Sequence, residues 1–241
     1  MIAEPAFRYA FGPSPCGGVA LELAGVEALL RPSGGLWLEA ERTLVVADLH
    51  LEKGSAYAAR GQLLPPYDSR ETLARLTAEA AKLAPRRVVL LGDTFHDPAA
   101  ERRLADEGAR ALAAIARVSE LVWIVGNHDE DGPRGLPGEV VAVARVAGLD
   151  LAHEPAGAPR HGEVAGHLHP CAKVKSRVGA VRRRCFVTDG ARIVLPAFGA
   201  FAGGLNVLDA AFAPLFVRSP LAVVLGERRA HAVGWAQLRP D

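Results

Sequence analysis

Five short blocks of this chain carry side chains that bind metal ions. They are Asp48-Leu49-His50, Gly92-Asp93, Gly126-Asn127-His128-Asp129, the lone His153, and Gly166-His167-Leu168-His169. Residues i and i+2 of an extended segment share a face. Asp48 with His50, and His167 with His169, would therefore each offer two ligands in one direction. The Asp93 carboxylate could bridge two cations with its two oxygens, and Asn127 offers a neutral carbonyl oxygen. Imidazole suits zinc, manganese and iron, whereas carboxylate favours harder ions. The mixture points to manganese, with iron or zinc next, and away from calcium or magnesium. A single Asp-x-His is as easily a polar pair at a strand end. The weight lies in the conjunction, because five of the eight histidines fall in these blocks.

Such blocks need elements that gather them. Leu44–Ala47, Val88–Leu91 and Leu121–Val125 are short, apolar and β-branched, and each runs into a Gly, Asp or Asn. They read as buried strands. Between the first two, Leu73, Leu76, Ala80 and Leu83 recur at helical spacing, with Asp68 and Glu71 spaced as a capping box and Pro85 as the stop. Between the second and third, Asp97 and Pro98 read as the start of a helix whose buried face is Leu104, Ala111, Leu112 and Ile115. Strand alternating with helix implies a parallel sheet, whose carboxyl edge is where ligands gather. After about Gly148 the texture changes to short strands at 162–166, 185–188, 193–195, 204–208 and 221–225, as expected of a second, more antiparallel sheet. The expected fold is α/β, a four-layer sandwich of two mixed sheets flanked by helices, in a single domain over residues 1–241 with its metal-site core at about 44–170.

Composition sets limits. The chain has 241 residues, half of them hydrophobic, with a net charge of +1. That allows a large core and disfavours a protein that grips nucleic acid by bulk charge. No basic start followed by an apolar run marks a signal peptide, and no apolar stretch is long enough to span a membrane. Cys16, Cys171 and Cys185 are odd in number and lack CxxC spacing, so reduced thiols and a cytoplasmic location are expected.

The order of the five blocks resembles that of the calcineurin-like metallophosphoesterases, from Asp48 to His169. Leu49-His50-Leu51-Glu52-Lys53-Gly54, the segment Gly61–Asp68, Leu195–Gly199 and Gly203–Asn206 resemble the ligase-associated DNA damage response endonuclease branch, PdeM. The resemblance departs at Ala202, where a small hydroxyl residue is expected. It implies two divalent metal ions. Asp48, His50 and His169 would hold one and Asn127, His153 and His167 the other, with Asp93 bridging. His128 would contact the phosphate and protonate the leaving oxygen without being a ligand. His96 and Asp129 are candidates for supporting this shell, Asp129 by orienting His128. Asp97 is better explained as a helix cap.

Two features bear on the substrate. Lys173, Lys175, Arg177, Arg182, Arg183 and Arg184 follow the last block with no acidic residue among them. Such a run could track phosphates or be a solvated loop. Lys53, Arg60 and Tyr67 could line the rim. With no sequence-reading DNA motif visible, single-stranded or damaged ends fit better. The subfamily resemblance implies a DNA phosphodiesterase in bacterial repair, with a ligase and a helicase as partners. A phosphoesterase for a small nucleotide or phosphorylated metabolite, and a non-catalytic binder of repair partners, are the alternatives.

Overall fold

The computed structural model describes residues 11–176 and 179–241. Arg177, one of the basic run, lies outside them.

The first sheet holds β1 (Gly12–Pro13), β2 (Val19–Leu23), β3 (Val26–Leu30), β4 (Leu36–Leu38), β5 (Thr43–Ala47), β6 (Arg87–Leu91), β7 (Glu120–Ile124) and β8 (Glu139–Val141), in that spatial order. β1 to β5 pair antiparallel, and β5 to β8 pair parallel. The inner parallel strands β5, β6 and β7 are buried on both faces, which explains their apolar runs, whereas the edge strand β8 is largely exposed. The first helix, α1 (Lys53–Ala58), follows the β5 turn. Val45 and Ala47 of β5 face the other sheet, while Leu44 and Val46 face helices α2 (Asp68–Leu83) and α4 (Asp106–Ala116) through Leu73, Leu76, Leu112 and Ile115.

The second sheet comprises β9 (Val143–Val146), β10 (Leu149–Ala152), β11 (Glu163–Ala165), the hairpin β12 (Cys171–Ser176) and β13 (Gly179–Thr188), β14 (Arg192–Val194), β15 (Leu221–Leu225), β16 (Ala230–Gly234) and β17 (Leu238–Arg239). It is mixed, because β10, β11 and β14 run parallel to one another while β9 and β13 flank them antiparallel. Leu149, Leu151, Val164, Phe186, Ile193 and Val223 meet the first sheet in one shared core. The outer face of this sheet is covered more thinly than expected. Phe212 and Leu215 of a 3-10 turn pack on Val194, and among the described residues no α-helix lies there.

Several local expectations fail for identifiable reasons. Asp68 is the first residue of α2 and forms no capping box; its Oδ2 accepts from the Gly54 N–H. Asp97 accepts from the Ala99 N–H and pairs with Arg103, so a turn forms where a helix start was expected. The helix is in two pieces, α3 (Ala100–Arg103) and α4, parted by an extended Leu104. Residues 204–208 pair only at a single parallel bridge from Asn206 to Cys171, and beyond it Asn206 Oδ1 takes the Leu208 N–H in competition with a ladder. The β9–β10 hairpin turns on Ala147 and Gly148, both at positive φ, without the Asn-Gly signature that would have announced it. The three cysteines are free, and among the described residues no helix is long and apolar enough to cross a membrane.

Candidate metal centre

Each of the five blocks follows the carboxyl end of a strand. Asp48 follows β5, Asp93 follows β6, Asn127 and His128 follow β7, His153 follows β10, and His167 follows β11. The centre thus straddles the carboxyl edges of both sheets. The turns after β5 and β6 are tied together: His50 N–H donates to Asp93 O at 2.9 Å and Leu51 N–H to Thr94 O at 2.8 Å.

Backbone conformation aims the side chains. Asp48 (φ 54), His50 (φ 45), Asp93 (φ 46), His167 (φ 66) and His169 (φ 46) all lie in the left-handed region. The Asp48–His50 segment is therefore a turn, not the extended segment its spacing suggests. Left-handed non-glycine residues cost about 1–3 kcal/mol each and persist only where their surroundings hold them. Glycines make the close approaches possible. A Cβ on Gly92 would lie 2.2 Å from His153 Nδ1, and one on Gly126 would lie 2.2 Å from Asp93 Oδ1.

Two groups of ligand atoms follow the sequence blocks, and a third joins His50 to His96 and His128. In the first, His50 Nε2 and His169 Nε2 are 3.1 Å apart, and His169 Nε2 is 3.5 Å from Asp48 Oδ1. In the second, His153 Nε2 lies 3.0 Å from Asn127 Oδ1, 3.1 Å from His167 Nδ1 and 3.4 Å from Asp93 Oδ2. Asp93 Oδ2 is also 3.8 Å from His50 Nε2, so it faces both groups. Its Oδ1 accepts the His128 backbone N–H at 2.9 Å. One oxygen, Oδ2, thus faces both groups while Oδ1 holds the turn after β7.

The donor set fits cations. Metal–ligand bonds of about 2.1 Å place neighbouring ligand atoms about 3.0–3.4 Å apart, which matches these separations. His153 Nδ1–H donates to the Leu91 carbonyl, turning the Nε2 lone pair inward beside two oxygen acceptors. Burial, and then His169, depress His50 to about 2, so its imidazole is neutral and free to ligate. Burial opposes charge on His153, yet Asp93 and Asp48 raise its pKa, so the pocket favours positive charge. Burial likewise works to raise the Asp93 carboxyl, but the His153 hydrogen bond and charge outweigh it and hold Asp93 at about 2.

His128 stands beside the two groups, its Nε2 4.0 Å from Asp93 Oδ2. Its Nδ1–H donates to the His96 carbonyl at 2.7 Å, and the two rings stack at 5.3 Å. Burial, then Lys53 and His128, lower the His96 pKa to about 4. Asp129 does not orient His128. Its oxygens accept from Gly126 N–H at 2.9 Å and Phe95 N–H at 3.1 Å, bracing the turn after β7 against the turn after β6. A cleft of about 740 Å³ opens at Asn127 and His128, walled by Pro98, Arg102 and Arg134.

The four cationic candidates divide. Lys53 and Arg60 lie near enough to His96 to lower its pKa. Lys53 donates to Phe201 O at 3.2 Å. Arg60 is exposed, and its guanidinium forms no ion pair among the described residues. Arg182 is engaged by Asp241 at 3.1 Å and by the Gly204 carbonyl at 2.6 Å. Arg184 is half-buried and donates to the carbonyls of Ala197, Ala200 and Ala202, so it braces a loop and is not a free phosphate contact. Arg75 and Thr72, which hold the same loop, went unnoticed in the sequence; nothing in an amphipathic helix pattern marks them.

A family model described as calcineurin-like phosphoesterase matches residues 41–182. Among solved structures, the crystal structure of the Pseudomonas putida nuclease MPE is similar over 90% of this chain and 100% of that one, with 26% identity and a TM-score of 0.68. Yfce, a phosphoesterase from E. coli, aligns over 80% of this chain and 98% of its own at 16% identity and a TM-score of 0.39. No curated protein matches the chain.

Proposed function

The chain belongs to the calcineurin-like phosphoesterase family, and on that footing we propose that it is a two-cation phosphodiesterase, one domain over residues 1–241, that cuts DNA. The observation that carries the chemistry is Asp93 Oδ2 facing both three-residue groups at once. Asp48, His50 and His169 would hold one ion, Asn127, His153 and His167 the other, and Asp93 would bridge them. Manganese is the favoured metal, with iron or zinc next, given the mixture of imidazole with carboxylate and amide oxygen. When bound, such a pair supplies Lewis acidity toward the phosphoryl group and an attacking water.

The chain's own groups supply the rest. The His96 carbonyl fixes the proton of His128 on Nδ1, leaving Nε2 toward the reacting group. A protonated Nε2 can then donate to the leaving oxygen, a contribution of about 10²–10⁴-fold. The backbone N–H of His128 holds Asp93 Oδ1 and thereby keeps Oδ2 aimed at both ligand groups, where it would serve both ions.

DNA as substrate is supported by the likeness to a nuclease along 90% of the chain and by Lys53 and Arg60 beside His96. Single strands or damaged ends suit a site without a groove-reading element. A role in bacterial repair beside a ligase and a helicase rests on the PdeM resemblance of the flanking segments.

The test compares the manganese-loaded protein with its His128→Asn variant on single-stranded DNA, duplex DNA, a chromogenic diester and a monoester. Metal-dependent cleavage of single-stranded DNA and the diester, lost in the variant, is expected. Absence of diester hydrolysis at any metal loading overturns the mechanism. Hydrolysis of a nucleotide without any cut in DNA replaces DNA by a small substrate.

A further inference from the structure

The segment after β14 has carried no role so far. It crosses from the second sheet to the first, where Ala197 bridges Ala47, Phe198 N–H donates to Ala47 O at 2.8 Å and Gly199 N–H donates to Asp48 O at 3.1 Å. Its backbone touches two ligand turns directly. A Cβ on Gly199 would lie 2.1 Å from Leu49 O, and one on Gly204 would lie 2.1 Å from His169 O.

The carbonyls of this loop are turned toward cations. Arg184 donates to those of Ala197, Ala200 and Ala202 at 3.1, 2.9 and 3.2 Å. Arg75 donates to Phe198 O and lies over the Phe198 ring at 4.8 Å, and Lys53 donates to Phe201 O. Thr72 Oγ1 accepts the Ala200 N–H at 2.9 Å. Neither Arg75 nor Arg184 forms a salt bridge among the described residues. Their charge is met by carbonyl dipoles, and burial lowers the pKa of both. Two guanidiniums held this way are poorly explained as solubilising charge. They are well explained as a clamp on residues 197–202. The turns beside that loop need one, because Asp48, His50 and His169 are held in left-handed conformations.

We propose that loop 197–204 is the buttress that keeps the Asp48–His50 turn and His169 in metal-binding geometry, and that Arg184 and Arg75 are its positioning residues, touching neither metal nor substrate. This rests on the two-cation reading of the centre.

The experiment compares wild type with Arg184→Met, Arg75→Met and the milder Arg184→Lys, using Arg183→Met as control, since Arg183 is an exposed neighbour on β13. Three quantities are read: amide hydrogen exchange over 47–51 and 195–204 in metal-free protein, manganese affinity by calorimetry, and kcat and KM on a chromogenic diester. The Met variants are expected to exchange faster in both segments, to bind manganese about 10–100-fold more weakly, and to lose kcat with KM little changed. Arg184→Lys should fall between, and it carries the test if Arg184→Met does not fold. Unchanged exchange and affinity in folded Arg184 variants, or the same losses in Arg183→Met, overturn the proposal. Wild-type protein that takes up no metal overturns the two-cation reading instead, and the exchange measurement still decides whether the arginines hold the loop.

Discussion

His128 Nδ1 donates to the backbone carbonyl of His96 at 2.7 Å, across 32 residues of sequence. The acceptor is main chain, so the tautomer of His128 does not depend on the His96 side chain. The His128 imidazole can therefore be removed without disturbing its anchor, and the His96 imidazole, although it stacks on His128, without removing the acceptor that fixes the tautomer.

Replacing His128 by Asn should lower kcat on a diester by about 10²–10⁴-fold while leaving manganese stoichiometry at two, because no ligand changes. Replacing His96 by Gln should cost far less. Calorimetry of metal uptake beside steady-state rates on both variants is the check. A His128→Asn protein with wild-type kcat removes the acid role.

Asp129 looks in sequence like the partner of its neighbour His128, but it ties two turns together through Gly126 N–H and Phe95 N–H. Burial raises its pKa, against the pull of those bonds. In Asp129→Asn the amide keeps one acceptor oxygen and turns an NH₂ toward the other N–H. One buried donor is then unmet, at about 1–3 kcal/mol. Urea unfolding of the metal-free variant should show that loss, and a stability equal to wild type would mean the brace is dispensable.

That the five blocks would meet was legible because residue type, order and strand-end position coincide: Asp48, Asp93 and Asn127 each follow an apolar run that reads as a buried strand. What was not legible depends on contacts distant in sequence. Asp93 turns Oδ2 toward both groups while His128 N–H bonds Oδ1, and no spacing encodes that. Arg184 was read as a free cation because it sits in a basic run, whereas its partners are carbonyls 13 to 18 residues away. The split of α3 from α4 was hidden because Leu104 and Leu112 keep helical spacing across the break. Left-handed Asp and His residues at the centre run against local preference, and such conflicts concentrate where function is built.

The metal-free protein should weaken in acid. Burial and His169 lower His50 from 6.5 to about 2. Below pH 6.5 the unfolded chain therefore binds a proton at this residue that the folded chain refuses. Stability then falls with pH, by up to about 1.4 kcal/mol per pH unit from His50. His96, lowered to about 4, acts in the same direction, discounted for its exposure. His153 has the opposite sign, since its raised pKa stabilises below 6.5 and that share is lost as pH rises through the folded value. A stability maximum near neutrality is the expected outcome. Urea midpoints in chelator at pH 7, 6 and 5 test it on wild type and His50→Asn, and a pH dependence equal in the two would show that His50 is not buried neutral.

Arg60 is the cleanest probe of a nucleic-acid path. It is exposed, it lies near enough to His96 to lower its pKa, and its guanidinium has no ion-pair partner among the described residues. Lys53 also supports Phe201, and Arg184 holds the loop, so their loss would blur binding with structure. If Arg60 contacts a phosphate next to the one being cut, Arg60→Ala should weaken single-strand binding and reduce the slope of log affinity against log salt by about 0.7. Hydrolysis of a chromogenic diester, which has no second phosphate, should stay at the wild-type rate. Binding titrations of a short oligonucleotide at four salt concentrations measure the slope. An unchanged slope places the strand elsewhere, and a loss on both substrates assigns Arg60 to the reacting phosphate itself.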